Sequence, residues 1–191
     1  RLTRMQAEGI APDVITFAGN GEPTLHPEFE SIIADTIATR DAFFPKAKIA
    51  VLSNATQLHK ESVVRALSRV EDNILKFDSI LDSRIQQLDR PNQPGFCFAR
   101  LLEQLKQFKG NLIIQTMFLK GEFEGQSVNN MTEEEVAGWL QALREIAPKQ
   151  VMIYTIDRET PAQGLLKATH EELDGIADRA RKAGFDVTVS Y

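Results

Sequence analysis

Val14-Ile15-Thr16-Phe17-Ala18-Gly19-Asn20-Gly21-Glu22-Pro23-Thr24-Leu25-His26-Pro27 reads as a buried strand that runs into a glycine-rich turn and presents one carboxylate, Glu22, before a helix begins. Val14, Ile15 and Phe17 favour extended backbone, while Gly19 and Gly21 permit a tight turn. Pro27 at a first helical position, with Glu28 and Glu30 in the turn after it, predicts a helix start there. Strand–loop–helix junctions are where α/β folds place ligands. Function is therefore sought first around Glu22.

Working outward, residues 48–52, 73–78, 112–118, 151–156 and 186–190 also read as strands. Most are continuous apolar segments, the pattern of strands covered on both faces. Helical patterns fall between them, at 28–40, 61–70, 98–108, 133–146 and 171–182. The last two open on capping boxes, Thr132 with Glu135 and Thr169 with Glu172. Glu133 to Glu135 then reads as an exposed first helical turn. A spacing of roughly 25 to 40 residues is that of repeated βα modules, and right-handed crossovers then demand a parallel sheet or barrel. An open sheet needs one chemically rich loop, whereas a barrel collects residues from every strand end. Here all five strand ends before the last carry polar groups, at 19–25, 53–56, 78–79, 120–126 and 155–158. The expectation is an α/β fold of the partial TIM-type barrel kind, with 1–191 as one domain.

Composition narrows the classes. With 42% hydrophobic and 26% charged residues the chain has the make-up of a folded globule and not of a disordered tail. No apolar run approaches the roughly 20 residues of a membrane span, and no secretory-type leader pattern opens the sequence. A net charge of −5 argues against an extended nucleic-acid footprint. The single cysteine excludes an internal disulfide and a multi-cysteine metal site, and fits a cytoplasmic protein. Flanked by Phe96 and Phe98, Cys97 is expected as a buried structural thiol. The chain begins at Arg1, in what looks like the end of a helix capped by Gly9, which reads as a piece of a longer protein.

Several residues can carry chemistry. Glu22, fixed by Gly21 and Pro23, can accept charge-assisted hydrogen bonds from a ligand ammonium or can cap the nearby helix. His26 reads as a cap or flank and not as a metal ligand. Ser53 and Asn54 can meet a carboxylate or ribose hydroxyls, or only turn the chain. Lys76 and Asp78 lie two apart on one strand and so share a face, where pairing avoids a buried unpaired charge. Gln115 or Thr116 can line the same cavity. Tyr154, Thr155 and Asp157 close a strand end, and Arg158 suits a substrate carboxylate or phosphate. The glycines do not match the dinucleotide fingerprint, and no Gly-Lys-Ser/Thr phosphate loop is present.

Residues 17–27 closely resemble the Gly-Glu-Pro region of radical S-adenosylmethionine (radical SAM) enzymes, with Asn20 where the commonest version has glycine. Val51-Leu52-Ser53-Asn54 looks like the ribose-motif strand end. Leu75-Lys76-Phe77-Asp78, Leu88-Asp89-Arg90-Pro91, and Tyr154-Thr155-Ile156-Asp157-Arg158 with Thr160-Pro161 resemble a subgroup that includes tRNA wyosine-base synthesis enzymes. The resemblance implies a partial (β/α)6 barrel missing its first strand, with S-adenosylmethionine and a [4Fe–4S] cluster as cofactors. It implies reductive cleavage to a 5′-deoxyadenosyl radical, hydrogen abstraction from an unidentified substrate, and an electron-donor protein for the full-length enzyme. Asn20, Gly21, Glu22 and Pro23 would then meet the methionine amino group, with Ser53 and Asn54 near the ribose or carboxylate. The backbone around Tyr154 and Thr155 would meet adenine, Asp78 and Gln115 would complete the cofactor pocket, and Lys76 and Arg158 would face substrate. The family's three cluster cysteines have no counterpart here, so this piece is expected to be inactive alone, and an exposed strand edge invites a dimer. Two other readings stay open: a barrel that binds a nucleotide-like ligand or a protein partner without catalysis, and a lyase that uses Lys76.

Overall fold

A computed structural model of the chain describes residues 2–19, 21–91, 93–157 and 164–191. They fall into two compact units, Arg1–Ser53 with Gln57–Ile74, and Asn54–Thr56 with Leu75–Tyr191. Asn20, Arg158, Thr160 and Pro161 lie outside the described residues.

The first unit contains helix α1 (Leu2–Ala7), strand β1 (Val14–Phe17), a 3-10 turn (Pro23–Leu25), α2 (Phe29–Phe43), β2 (Lys48–Ser53), α3 (Glu61–Leu67) and the start of β3 (Asp72–Lys76). Its strands run in the order β1-β2-β3. β1 and β2 are parallel, with Val14 opposite Lys48 and Phe17 opposite Val51. Phe29, Ile33, Ile49, Val51, Val63 and Leu67 form its core, each side chain contributing about 1.5–3 kcal/mol by leaving water. The end of α2 is tied to β2 by polar groups. Arg40, 8% exposed, donates to the Ala47 carbonyl at 2.7 Å and to Glu71 at 2.9 Å, while Glu71 accepts from the Ile49 N–H at 2.8 Å.

Two expectations change here. β1 is not buried: Val14 and Thr16 are exposed, and Ile15 and Phe17 are half-buried. Among the described residues it pairs with β2 alone and stands at the sheet edge, where unpaired backbone and one side of the strand face outward. The helix begins two residues later than Pro27, at Phe29 with Glu28 as its cap, because Pro23–Leu25 first forms the 3-10 turn.

The second unit takes the end of β3 and adds α4 (Asp82–Leu88), α5 (Phe98–Lys106), β4 (Ile113–Met117), β5 (Leu119–Phe123), β6 (Gln126–Asn129), α6 (Glu133–Ile146), β7 (Gln150–Tyr154), β8 (Leu165–Lys167), α7 (His170–Lys182) and β9 (Val187–Ser190). Its main sheet runs β3-β4-β7-β9, parallel from β4 to β9. Trp139 of α6 anchors the covering helices. Its indole N–H donates to the Thr116 hydroxyl at 3.0 Å, and its ring meets Phe118 edge-on at 5.4 Å. Phe77 of the β3 end stacks on Phe98 of α5.

The fold class is α/β with a mostly parallel sheet, as expected, but neither sheet closes into a barrel among the described residues. Residues 120–126, read as a polar strand end, instead make most of an antiparallel hairpin, and β6-β5-β8 form a second, three-stranded sheet. Its two-residue turn, Glu124-Gly125, has positive φ at both positions (52° and 74°), the backbone that matches hairpin twist. Cys97 is half-buried at the cap of α5 and not fully buried. Among the described residues no helix is long and apolar enough to cross a membrane.

Candidate functional site

In the first unit the parallel strand β1 ends at the glycine-rich loop, and an open pocket of about 590 Å³ is lined by residues 16–19, 21–23, 25 and 26. Gly19 and Gly21 meet no atom near the position of a Cβ, so the pocket reaches the main chain itself. Glu22 is turned into the loop. One carboxylate oxygen accepts from the Thr24 N–H at 3.1 Å, from the Thr24 hydroxyl, and from the Ser53 hydroxyl at 2.7 Å. The carboxylate thus caps the 3-10 turn and clips the loop to the C-terminal end of β2. Pro23, at the first position of that turn, has no N–H to leave unsatisfied. His26 accepts the Glu28 N–H through Nδ1 at 3.1 Å, the flank role read from the sequence.

In the second unit Asn54 closes an Asx turn, its oxygen accepting from the Thr56 N–H at 3.0 Å and hydroxyl at 2.7 Å. The principal polar cluster lies at the end of β3. The Lys76 ammonium sits 2.7 Å from Asp78 and 3.0 Å from Asp89, the latter brought back by α4. The Asp78 side chain is fully buried and accepts the Met117 N–H at 2.8 Å. Burial works against the Lys76 charge, but the two carboxylates outweigh it and raise its pKa. Burial pushes the Asp78 carboxyl up to about 7, against the pull of the ammonium. Burial, with the Asp78 charge, also raises the Tyr154 hydroxyl. Gln115 is half-buried on the same face of β4 as Met117, whereas Thr116 points to Trp139 and donates to the Phe77 carbonyl at 2.7 Å. Thr155 is buried and engaged, donating to the Phe118 carbonyl and accepting the Ala168 N–H, both at 2.8 Å.

Three residues that the sequence did not single out for this site lie in or beside the cluster. Asn130, 1% exposed, donates to the Asp78 and Met117 carbonyls and accepts the Leu119 N–H, fastening three chain segments. Glu135 is 2% exposed and not part of a solvated turn. It accepts from the Ser79 hydroxyl at 2.8 Å and the Ile80 N–H at 3.1 Å, and burial raises its pKa. Its side chain is therefore not returned to Thr132, so that box is half-made, whereas Thr169 and Glu172 form theirs completely. Asp89 stands thirteen residues from Lys76, a span that no local periodicity connects. The described residues contain no group of three His, Cys, Asp or Glu side chains able to hold a metal.

No protein-family model matches this chain. UPF0026 proteins are similar in sequence. That of Helicobacter pylori is 30% identical over 152 residues, covering 76% of this chain and 44% of its own length. That of Synechocystis is 29% identical over 155 residues, covering 79% and 53%. The chain thus spans about half the length of these relatives. A GTPase Obg of Brachyspira hyodysenteriae aligns at 25% identity, but over only 22% of its own length. Among solved structures, a domain of a pyruvate-formate lyase-activating enzyme from Bacteroides vulgatus superposes with a TM-score of 0.66 at 19% identity, covering 93% of this chain and 98% of that one. A radical SAM methyltransferase from Sphaerobacter thermophilus gives 0.71 at 16%, covering 100% and 54%. TYW1, solved with a lysine–pyruvate adduct, gives 0.63 at 15%, covering 90% and 50%. This chain has the fold that solved radical SAM enzymes carry.

Proposed function

We propose that the chain is the core of a radical SAM enzyme and that its glycine-rich loop binds the methionine end of S-adenosylmethionine. The observation that carries this reading is the loop itself. A main-chain pocket opens at the end of a parallel strand and is held in shape by the Glu22–Ser53 clip. Backbone carbonyls along such a wall accept from a ligand ammonium, and the nearby carboxylate favours the positive charge. In this reading Asn20 to Pro23 meet the amino group, the sheet is part of a (β/α)6 partial barrel, and the whole protein draws electrons from a donor protein. Cleavage of the sulfonium, hydrogen abstraction and the substrate are parts of the same proposal.

The residues present do not fit the iron–sulfur cluster. Its irons need several cysteine thiolates, and this chain has Cys97 alone. No catalytic step is therefore drawn through a cluster on these residues.

The imine-forming lyase is the weaker reading. A lysine nucleophile needs a lowered pKa, whereas Lys76 is held protonated between two carboxylates. Lys76 fits better as a fixed positive charge beside a substrate.

Equilibrium dialysis against labelled S-adenosylmethionine tests the proposal. Saturable binding is expected, weakened about tenfold or more in Glu22→Ala, a loss of ~1.4 kcal/mol or greater. Ser53→Ala should weaken it less, because Thr24 still holds the carboxylate. Absence of binding at millimolar ligand, with circular dichroism showing a folded chain, would refute the reading.

A further inference from the structure

A second pocket, of about 380 Å³, lies wholly within the second unit. This is within the range of roughly 300–1,000 Å³ typical of small-molecule sites. Its walls are mostly apolar, built from Met117 at the end of β4, Leu119 and Phe123 of β5, Val128 of β6 and Leu165 of β8, with Gln87 of α4 as an uncharged polar neighbour. One full charge lines it. Arg90 follows α4 with φ of 42°, and its guanidinium lies 4.6 Å from the centre of the Phe123 ring.

The state of that guanidinium points to a ligand. Its ion pair is to Glu124 through one nitrogen at 2.7 Å, and both side chains are more than half exposed. Exposed pairs of this kind contribute little, so a ligand anion can replace Glu124 while Phe123 keeps the guanidinium in place. The charged residues beside Arg90 and Leu119 in sequence are already committed. Asp89 is turned onto Lys76, and Lys120 pairs with Glu172. The pocket also shares a wall with the buried cluster, because the Met117 N–H donates to Asp78 and Met117 stands opposite Tyr154. An apolar cavity with one replaceable ion pair at its mouth selects for an apolar body that carries one negative group.

We propose that this pocket binds a small organic anion, an aromatic or aliphatic body bearing a carboxylate, phosphate or sulfonate, and that Arg90 is the residue that reads the anion. Calling this ligand the enzyme's substrate rests on the radical SAM reading; its binding does not. The two readings fail separately, since the pocket is probed without S-adenosylmethionine.

The probe is anilinonaphthalene sulfonate, an apolar fluorescent anion, titrated into the intact chain and then displaced with phenylbutyrate or with the uncharged phenylbutanol. One saturable site is expected, with phenylbutyrate the stronger competitor. Arg90→Gln should weaken the sulfonate and phenylbutyrate about tenfold or more, the loss expected for a hydrogen bond to a charged group, and leave phenylbutanol unchanged. Arg90→Lys should recover part of the affinity, and carbon-13 methyl shifts of Leu119, Val128 and Leu165 should follow occupancy. The side chain of Arg90 is exposed, so far-ultraviolet circular dichroism and the urea midpoint are expected to stay at wild-type values. Equal affinity in wild type and Arg90→Gln, an alcohol that competes as well as the acid, or binding that leaves those methyls unmoved would each overturn the proposal.

Discussion

Replacing Lys76 by methionine should be among the costliest single changes in the second unit, and the structure says how costly. The substitution keeps an aliphatic chain along the strand and removes only the ammonium. Asp78, with a side chain that has no exposed surface, then retains one N–H donor, from Met117, and no counter-charge. Removing one partner of a buried ion pair costs about 3–5 kcal/mol. A domain of this length shifts its melting temperature by roughly 2–4 °C per kcal/mol, so the loss should be roughly 6–20 °C. The penalty should depend on pH. Burial already raises the Asp78 pKa above its unfolded value with Lys76 present, and without the ammonium it rises further. A group with a raised folded pKa gives up stability as pH increases through that pKa, because the native state holds its proton longer than the unfolded chain does. Lys76→Met should therefore lose more at about pH 8 than at about pH 5, where Asp78 is protonated and neutral. Urea unfolding followed by the fluorescence of Trp139, the single tryptophan and 2% exposed, reads these differences directly. The double variant Lys76→Met/Asp78→Asn should return to within about 2 kcal/mol of wild type, since it removes the fully buried charge, keeps an oxygen for Met117 and leaves only Asp89, with a side chain 17% exposed, without its ammonium. A single variant within about 1 kcal/mol of wild type at pH 8, or a double variant no better than the single, would show that the pair does not carry the energy assigned to it.

Two further outcomes follow from single buried polar groups. Asn73 has no exposed surface, and neither atom of its amide has a hydrogen-bond partner. Asn73→Leu removes a desolvation penalty of about 1–3 kcal/mol and should raise the urea midpoint; a fall in the midpoint would mean the amide is satisfied in solution. Glu135, raised by burial, should favour the fold most fully below its unfolded pKa and lose that contribution as pH rises through the folded value. Glu135→Gln should flatten this part of the stability–pH curve while keeping acceptors for Ser79 and Ile80, and identical curves for the two proteins would count against a buried carboxyl there.

The amino-acid order alone fixed the local elements whose signals are local. The apolar runs of β2, β3, β4 and β7 and the helical stripes of α2, α5, α6 and α7 were legible because burial is written into their periodicity. Thr169 and Glu172 were legible as a cap because both partners lie within one turn. The same logic failed where one residue had two suitors. Glu135 has the spacing of a capping box, yet Ser79 and Ile80 arrive from far along the chain and take its carboxylate. β1 has the composition of a core strand, yet it stands at the edge of the sheet among the described residues and is half exposed there. Residues 120–126 read as a polar strand end, yet they fold into a hairpin, and the second sheet exists because β8 returns from more than forty residues away to pair with β5.

The sites divide in the same way. Glu22 and its glycines could be singled out from sequence, because backbone freedom and a flanking proline act within a few residues. What that carboxylate meets within the fold depends on Ser53, thirty-one residues on, which clips it to β2. Lys76 and Asp78 were paired by strand alternation, but Asp89, the clip of Asn130 and the pocket beneath Arg90 depend on contacts between distant segments. Periodicity reports which face of an element is buried. It carries no record of which distant polar group meets it there, and in this protein those meetings shape both pockets.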